Sequence, residues 1–281
     1  LFGACPSFGN RVGKSMIKLI AFDMDGTFLN SQNDYDRTRF DKIFQAAKEK
    51  GIRLVANSGN QYRQIASFFG PYLDDLVIVS EIGAQIHERG QLIDFHHFDD
   101  AVVADVLGML AGKGLLDRCS VSGLEGLYFE KGAQPDFKKT IIKHNFAWKE
   151  IDSLLELPDD HFTILTLDLP GQDIAALVDD INQLGQGQIK AVSSGFDFIA
   201  MVQPKVNKGT ALAFLGQRWG IEPEEMMAFG DSDNDLDMLA YVGESYAMAG
   251  SPASVMAVAR HQAPSNDASG VLEVLEKVLN E

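Results

Sequence analysis

The chain has 281 residues, 46% of them hydrophobic and 23% charged, a balance that excludes wholesale disorder and, at roughly 150 residues per domain, predicts two domains. Its 24 Lys and Arg against 40 Asp and Glu leave a net charge of −16, which repels phosphate backbones and anionic lipid and so excludes general nucleic-acid or membrane-surface binding. No apolar run approaches the roughly 18 residues of a membrane span, and Cys5 and Cys119 make neither a metal-site nor a disulfide spacing, which fits a reducing, cytoplasmic compartment.

Leu1–Ser15 has no repeating apolar pattern and is read as a tag-like or non-native leader. Ile17–Phe22 is a short apolar run and predicts a strand ending in Asp23-Met24-Asp25-Gly26-Thr27, a loop by composition. Asp36–Lys50 carries Phe40, Ile43, Phe44 and Ala47 at helical spacing and stops at Gly51. A strand follows at Ile52–Ala56, a turn at Asn57-Ser58-Gly59, a helix over Gln61–Phe69 and a third strand at Leu76–Val79. This β-α-β-α-β order predicts a parallel sheet with helices wound on both faces. The middle is mixed. Helices are expected over Val102–Leu110, Asp136–His144 and Asp173–Leu184, and strands over Leu116–Ser122, Leu127–Lys131 and His161–Leu169. Ile189–Val192 and Asp197–Val202 read as a hairpin about Ser194-Gly195. From Asn207 the alternation resumes with a helix to Trp219, a strand over Met226–Phe229, an acidic loop and a further helix. The expected organisation is a core domain of residues 16–97 and 193–281, with an α+β domain of residues 98–192 inserted in it.

Two acidic loops carry the chemical signal. Asp23 and Asp25 leave the end of the first strand, where ligands bind in open α/β sheets. An isolated D-x-D-G would be an ordinary turn. Here Gly230-Asp231-Ser232-Asp233-Asn234-Asp235 also follows a predicted strand, and two such loops can meet around one Mg²⁺. A calcium loop starting at Asp231 fails, because Leu236 and Val242 stand where Gly and Glu are needed. Part of this acidity, as at Asp233 and Asp237, reads as helix N-terminal charge. Ser58, Gly59 and Asn60 offer a hydroxyl and free N–H groups at a helix start, which suit a phosphate as well as a plain N-cap. Lys208 opens a helix, where a cation opposes the macrodipole, so an anion-facing role is expected of it. Gly9–Ser15 has P-loop-like glycines at the wrong spacing, and the six histidines make no metal-ligand pattern; His96-His97 reads as an exposed strand edge.

Taken in order, Asp23-Met24-Asp25-Gly26-Thr27, Ser58-Gly59, Lys208 and Gly230–Asp235 resemble the four motifs of the haloacid dehalogenase (HAD) superfamily. The insertion between the second and third motifs is similar to the type IIB cap of the Cof-type subfamily, and bacterial Cof-type sugar phosphatases match best, through Phe22–Leu29 and Ser194-Gly195-Phe196. Ser80-Glu81-Ile82-Gly83-Ala84 resembles that subfamily's S-E-N-G-A, with Ile82 for Asn. The resemblance implies a doubly wound, mostly parallel Rossmann-like core with an inserted α+β cap. It implies Asp23 as nucleophile, Asp25 as general acid/base, and Ser58, Gly59, Asn60, Lys208 and Asn234 on the phosphate or substrate side. It implies Mg²⁺ held by Asp23, Asp231 and the main-chain carbonyl of Asp25, with Asp235 behind them. Asn60 stands where many relatives carry Arg, which removes one phosphate clamp.

The expected function is a Mg²⁺-dependent phosphomonoesterase working through an aspartyl-phosphate on a small sugar or polyol phosphate. A sugar phosphomutase and a non-catalytic phosphate- or metal-binding protein are the alternatives. HAD cation pumps are disfavoured, since they place Thr where Asp25 stands. A neutral, polyhydroxylated leaving group is expected from the few cations in the insertion (Lys113, Arg118, Lys131, Lys138, Lys139) and its polar Ser120, Ser122, Gly123 and Glu125. No protein partner is evident.

Overall fold

The computed structural model describes residues 16–193 and 198–280. The leader Leu1–Ser15, with its P-loop-like stretch and Cys5, and the turn Ser194–Phe196 lie outside these residues.

The first part of the chain alternates as the pattern predicts. Strand β1 (Leu19–Phe22) is fully buried, and helix α1 (Arg37–Glu49) starts at Asp36, whose carboxylate caps the Arg39 N–H. Phe40, Ile43, Phe44 and Ala47 form its buried face. Strand β2 (Arg53–Asn57), helix α2 (Tyr62–Phe68) and strand β3 (Val77–Ser80) follow. The next two strands, β4 (Gln85–Glu88) and β5 (Gln91–Phe95), are a hairpin. Their two-residue turn, Arg89-Gly90, has φ of 53° and 71°, the positive pair that matches strand twist in a tight hairpin.

The chain then builds a second sheet: α3 (Asp100–Gly112), β6 (Cys119–Gly123), β7 (Leu127–Glu130), α4 (Pro135–His144), β8 (Trp148–Ile151), β9 (Phe162–Asp168), α5 (Ala175–Leu184), β10 (Lys190–Ser193) and β11 (Phe198–Val202). It returns through α6 (Lys208–Trp219), β12 (Met226–Gly230), α7 (Leu236–Tyr241), β13 (Glu244–Met248), α8 (Ala253–Val258), β14 (His261–Ala263) and α9 (Gly270–Asn280).

The larger sheet has the order β14-β13-β12-β1-β2-β3-β4-β5 and is parallel from β14 to β3. One face packs on α1, α2 and α9 through Ile20, Phe22 and Phe229, the other on α6 and α7 through Leu19, Ala21 and Ala228. Alternation along β1 thus feeds two cores, as a doubly wound sheet requires. The smaller sheet, β10-β11-β9-β6-β7-β8, is antiparallel apart from the β7–β8 pair. Val121, Leu165 and Leu167 bury against α3 and α5, while Ser120 and Ser122 lie on the opposite face by the two-residue period of a strand. Strand β11 pairs with both β9 and β10, so the return to the larger sheet falls after Val202, later than the expected residue 193.

Candidate active site

Strands β1 and β12 are parallel neighbours in register, Phe22 opposite Phe229, so their carboxyl ends release Asp23 and Asp231 side by side. The chain must turn sharply there. Gly26 has φ of 76°, and a Cβ on it would lie 2.5 Å from Asp231 Oδ2. Only glycine lets the two loops close on each other. Thr27 fastens them, its hydroxyl donating to Asp231 Oδ1 at 2.7 Å.

Lys208 enters from the other side of the sheet as the first residue of α6. Asn207 caps that helix in a reciprocal box with Thr210. Asn57, at the end of β2, donates its side-chain amide to the Lys208 carbonyl at 3.0 Å and anchors the helix start to the sheet. The Lys208 ammonium is fully buried and donates to Asp23 Oδ1 at 2.6 Å, Asp235 Oδ1 at 2.7 Å and Asn234 Oδ1 at 3.2 Å. Burial alone would discharge this lysine; the carboxylates of Asp23 and Asp235 outweigh it and hold its pKa above the ordinary value. Burial raises Asp23 well above the usual carboxylate range, against the pull of Lys208. Burial also raises Asp231, with the Thr27 hydrogen bond opposing.

Asp235 accepts at both oxygens. Its Oδ1 takes Lys208 and its Oδ2 takes the N–H groups of Asp231 and Ser232, at 2.9 and 3.1 Å. It therefore shapes the 231–235 loop and aims the ammonium. Oxygens of Asp23, Asp231 and Asp235 lie within 4.8 Å of one another, a cluster suited to a divalent metal. Lys208 is the one cation acting on Asp23 and Asp231 among the described residues, so a cluster of three carboxylates keeps negative charge that a hard cation offsets.

Ser58 and Gly59 follow β2 on the same rim. The Ser58 side chain is buried, and its Oγ accepts the Asn60 N–H at 3.1 Å. Gly59 faces Ile82 and the Asn234 amide. The side chain of Asn60, expected on the phosphate side, donates its Nδ2 to Asp25 Oδ2 at 2.6 Å. Shorter than an Arg, it holds the exposed Asp25. Asn234, expected toward the substrate, accepts from Lys208 and from the Ser232 hydroxyl, at 3.2 and 2.9 Å. Residues that sequence reasoning left without a role here are Thr27, Asn57, Gln61 and Glu81. The available signal at Asn57 was a polar residue closing an otherwise apolar strand. Thr27 and Glu81 lie in motifs that the sequence shows, but their partners, like that of Gln61, lie far along the chain.

Residues 20–275 match the family of haloacid dehalogenase-like hydrolases, and the chain belongs to that family. It is a phosphatase of the HAD superfamily, with the inserted sheet as its cap. Among its relatives is the 5-amino-6-(5-phospho-D-ribitylamino)uracil phosphatase YbjI of Escherichia coli K12, 34% identical over 267 residues that cover 94% of this chain and 96% of the relative. The structure of SMU.1108c from Streptococcus mutans UA159 superposes with a TM-score of 0.88 at 34% identity, over 94% of this chain and all of that one. The subclass IIB sugar phosphatase BT4131 shares the fold, with a TM-score of 0.78 at 17% identity over 92% of this chain and 98% of its own.

Proposed function

We propose that the protein hydrolyses small sugar or polyol phosphates with Mg²⁺, through a phosphoryl group carried on Asp23. The observation that supports this reading best is the buried Lys208 ammonium held between Asp23 and Asp235 at the carboxyl ends of β1 and β12. Such a cation meets a dianionic phosphoryl group and the attacking carboxylate together, and spends no energy reorganising when charge shifts between them.

In this reading Asp23 attacks phosphorus, the ester oxygen departs, and Asp25 supplies the proton that makes it an alcohol. The Asn60 amide occupies Asp25 Oδ2, which leaves Oδ1 to carry that proton. Asp25 then takes a proton from the water that attacks phosphorus and releases Asp23 and inorganic phosphate. Ser58, the Gly59 N–H, Lys208 and Asn234 hold the phosphoryl oxygens. Asp23, Asp231 and the Asp25 carbonyl would hold Mg²⁺, which when bound draws charge from those oxygens.

We take residues 16–97 and the chain after Val202 as the catalytic domain and the sheet between them as the cap. Support for a neutral leaving group comes from four of the cap's cations, which are engaged elsewhere: Lys113 with Asp180, Arg118 with Asp136, Lys131 with Asp152 and Lys138 with Glu150. The ester of the YbjI substrate also sits on a polyol chain, as its name states. Phosphate release from a panel of phosphorylated metabolites tests the reading, with Asp23→Asn as control. Turnover and the covalent phosphoryl label trapped by rapid acid quench should both vanish in that variant; turnover near the unaltered rate would overturn it.

A further inference from the structure

Between the cap sheet and the catalytic loops lies a pocket of about 210 Å³. Ser120, Ser122 and Thr166 line it from the cap, and Asn60, Gln61 and Glu81 from the core. Asn60 joins this space to Asp25, so it receives whatever departs from the phosphoryl group. A larger groove, of about 500 Å³ between Val103 and Pro158, holds none of the catalytic side chains.

Glu81 is the acid in this wall that the proposed mechanism does not use. Its residue is 4% exposed. It sits in a strained turn, with φ of 52° at Glu81 and 56° at Ile82, followed by Gly83 at 101°. Non-glycine residues persist there only when their surroundings impose it, and such strain gathers at functional sites. The surroundings are identifiable. The Glu81 N–H donates to the Asn60 carbonyl at 3.1 Å and the Ile82 N–H to the Ser58 carbonyl at 3.2 Å. A Cβ on Gly83 would lie 2.5 Å from the Asn207 carbonyl, so the turn is pressed against the cap of the helix that carries Lys208. The backbone of Glu81 is therefore fixed to the catalytic core, while its buried carboxyl meets the Ser122 and Thr163 hydroxyls of the cap. Gln61 makes a second clasp beside it, its amide exchanging two hydrogen bonds with the Ala147 backbone at 3.1 and 3.2 Å.

We propose that Glu81 is a specificity-determining residue: it closes the cap onto the core through Ser122 and Thr163 and gives the leaving-group pocket an uncharged, hydrogen-bonding wall. This rests on the phosphatase reading above. The Thr163 hydroxyl already donates to the Ser122 carbonyl at 3.2 Å, so its oxygen is free to accept a proton from Glu81. Charged and titratable groups on the packed elements face other partners or other space. Lys208 meets Asp23 and Asp235, Arg218 meets Glu88, Asp168 faces Arg118, His87 stacks on Tyr62, and Cys119 is buried on the α3 side. None of them acts on Glu81, whose pKa burial raises to about 8 against the opposing pull of the Ser122 and Thr163 hydroxyls. Leu127, Ile141, Ile164 and Phe198 complete the wall, and no Lys or Arg among the described residues lines it. Such a pocket takes hydroxyl- or carbonyl-bearing leaving groups and offers a carboxylate no cation to offset its loss of water.

The test compares kcat and KM for ribitol 5-phosphate, 6-phosphogluconate and nitrophenyl phosphate. Ribitol 5-phosphate should be preferred to 6-phosphogluconate. Its KM should rise above pH 8, by about tenfold per pH unit as the neutral acid is depleted. Glu81→Ala should lower kcat/KM for ribitol 5-phosphate relative to nitrophenyl phosphate by about tenfold, through KM, as expected when a buried hydrogen-bonding wall is lost. Glu81→Gln, which keeps the shape of the neutral acid, should restore most of that ratio and remove the alkaline rise. Should Glu81→Ala not fold, Ser122→Ala with Thr163→Val makes the same comparison from the cap side. An unmoved ratio, equal losses on both substrates, or a Gln variant that keeps the alkaline rise overturns the role of Glu81 alone. Preference for 6-phosphogluconate, or no cleavage of ribitol 5-phosphate while nitrophenyl phosphate is cleaved, overturns the uncharged pocket. No phosphate from any of the three overturns the phosphatase reading, and this inference with it.

Discussion

The ammonium of Lys208 lies 2.6 Å from Asp23 Oδ1 although the two residues are 185 positions apart, and both are buried. Each makes the other tolerable, because an isolated buried charge costs several kcal/mol. Truncation to Lys208→Ala leaves Asp23 and Asp235 without their cation. Stability should fall by about 3–5 kcal/mol, read as a lower denaturant midpoint. Bound Mg²⁺ should recover part of it, and an unchanged midpoint would show that the pair contributes little.

Asp25 is exposed and held by Asn60, so its loss should spare the fold and cost turnover. Asp25→Asn should slow cleavage of a sugar phosphate by about 10²–10⁴-fold. Nitrophenyl phosphate, whose leaving group needs no proton, should suffer less in single-turnover phosphorylation. Equal losses on both would make Asp25 a structural residue.

Chelation should abolish activity and Mg²⁺ should restore it. Asp231→Ala should raise the Mg²⁺ concentration for half-activity and shrink the Mg²⁺-dependent rise in melting temperature. Full activity after exhaustive chelation would remove the metal from the mechanism.

His87, on β4, stacks on Tyr62 at 3.7 Å between ring centroids, and its buried Nδ1 has no partner. Burial lowers its pKa from 6.5 to about 4. The unfolded chain therefore binds the proton first as pH falls. This contribution to stability is full above pH 6.5 and is lost progressively down to about pH 4. His87→Phe should flatten that part of the stability–pH curve while keeping the stack on Tyr62. The same acid loss in both proteins would assign it to other groups.

Ile82 holds φ of 56°, ψ of 29°, a left-handed conformation that a β-branched side chain resists. The resembling motif has Asn there, the residue that tolerates this region best after Gly. Ile82→Asn should gain up to about 1 kcal/mol, since a left-handed residue costs roughly 1–2 kcal/mol. A raised melting temperature checks this; a lowered one would mean that the apolar packing of the Ile82 side chain outweighs the strain.

Features set by neighbours along the chain could be read before any coordinates. Two apolar strands each ending in acidic loops, the Asp36 and Asn207 caps, and a lysine at a helix start all depend on spacing of a few residues, and the motif resemblance follows from them. The hairpin of β4 and β5 escaped that reading, because Gln85–Glu88 and Gln91–Phe95 mix apolar and polar residues without a clean period, and its Arg-Gly turn is a weak signal. The edge strand β8, with Trp148, Lys149 and Glu150 exposed, has no buried face to betray it. Membership of β11 in the cap was decided by hydrogen bonds to β9, some thirty residues upstream, rather than by its own composition. The same holds at the site. That Asn60 meets Asp25, that Asp235 holds the Lys208 ammonium, and that Glu81 and Gln61 reach Ser122, Thr163 and Ala147 are consequences of packing between segments distant in sequence. Residue type and local spacing determine which groups can do phosphoryl chemistry; burial and long-range contact decide their partners, their charge, and which face the leaving group meets.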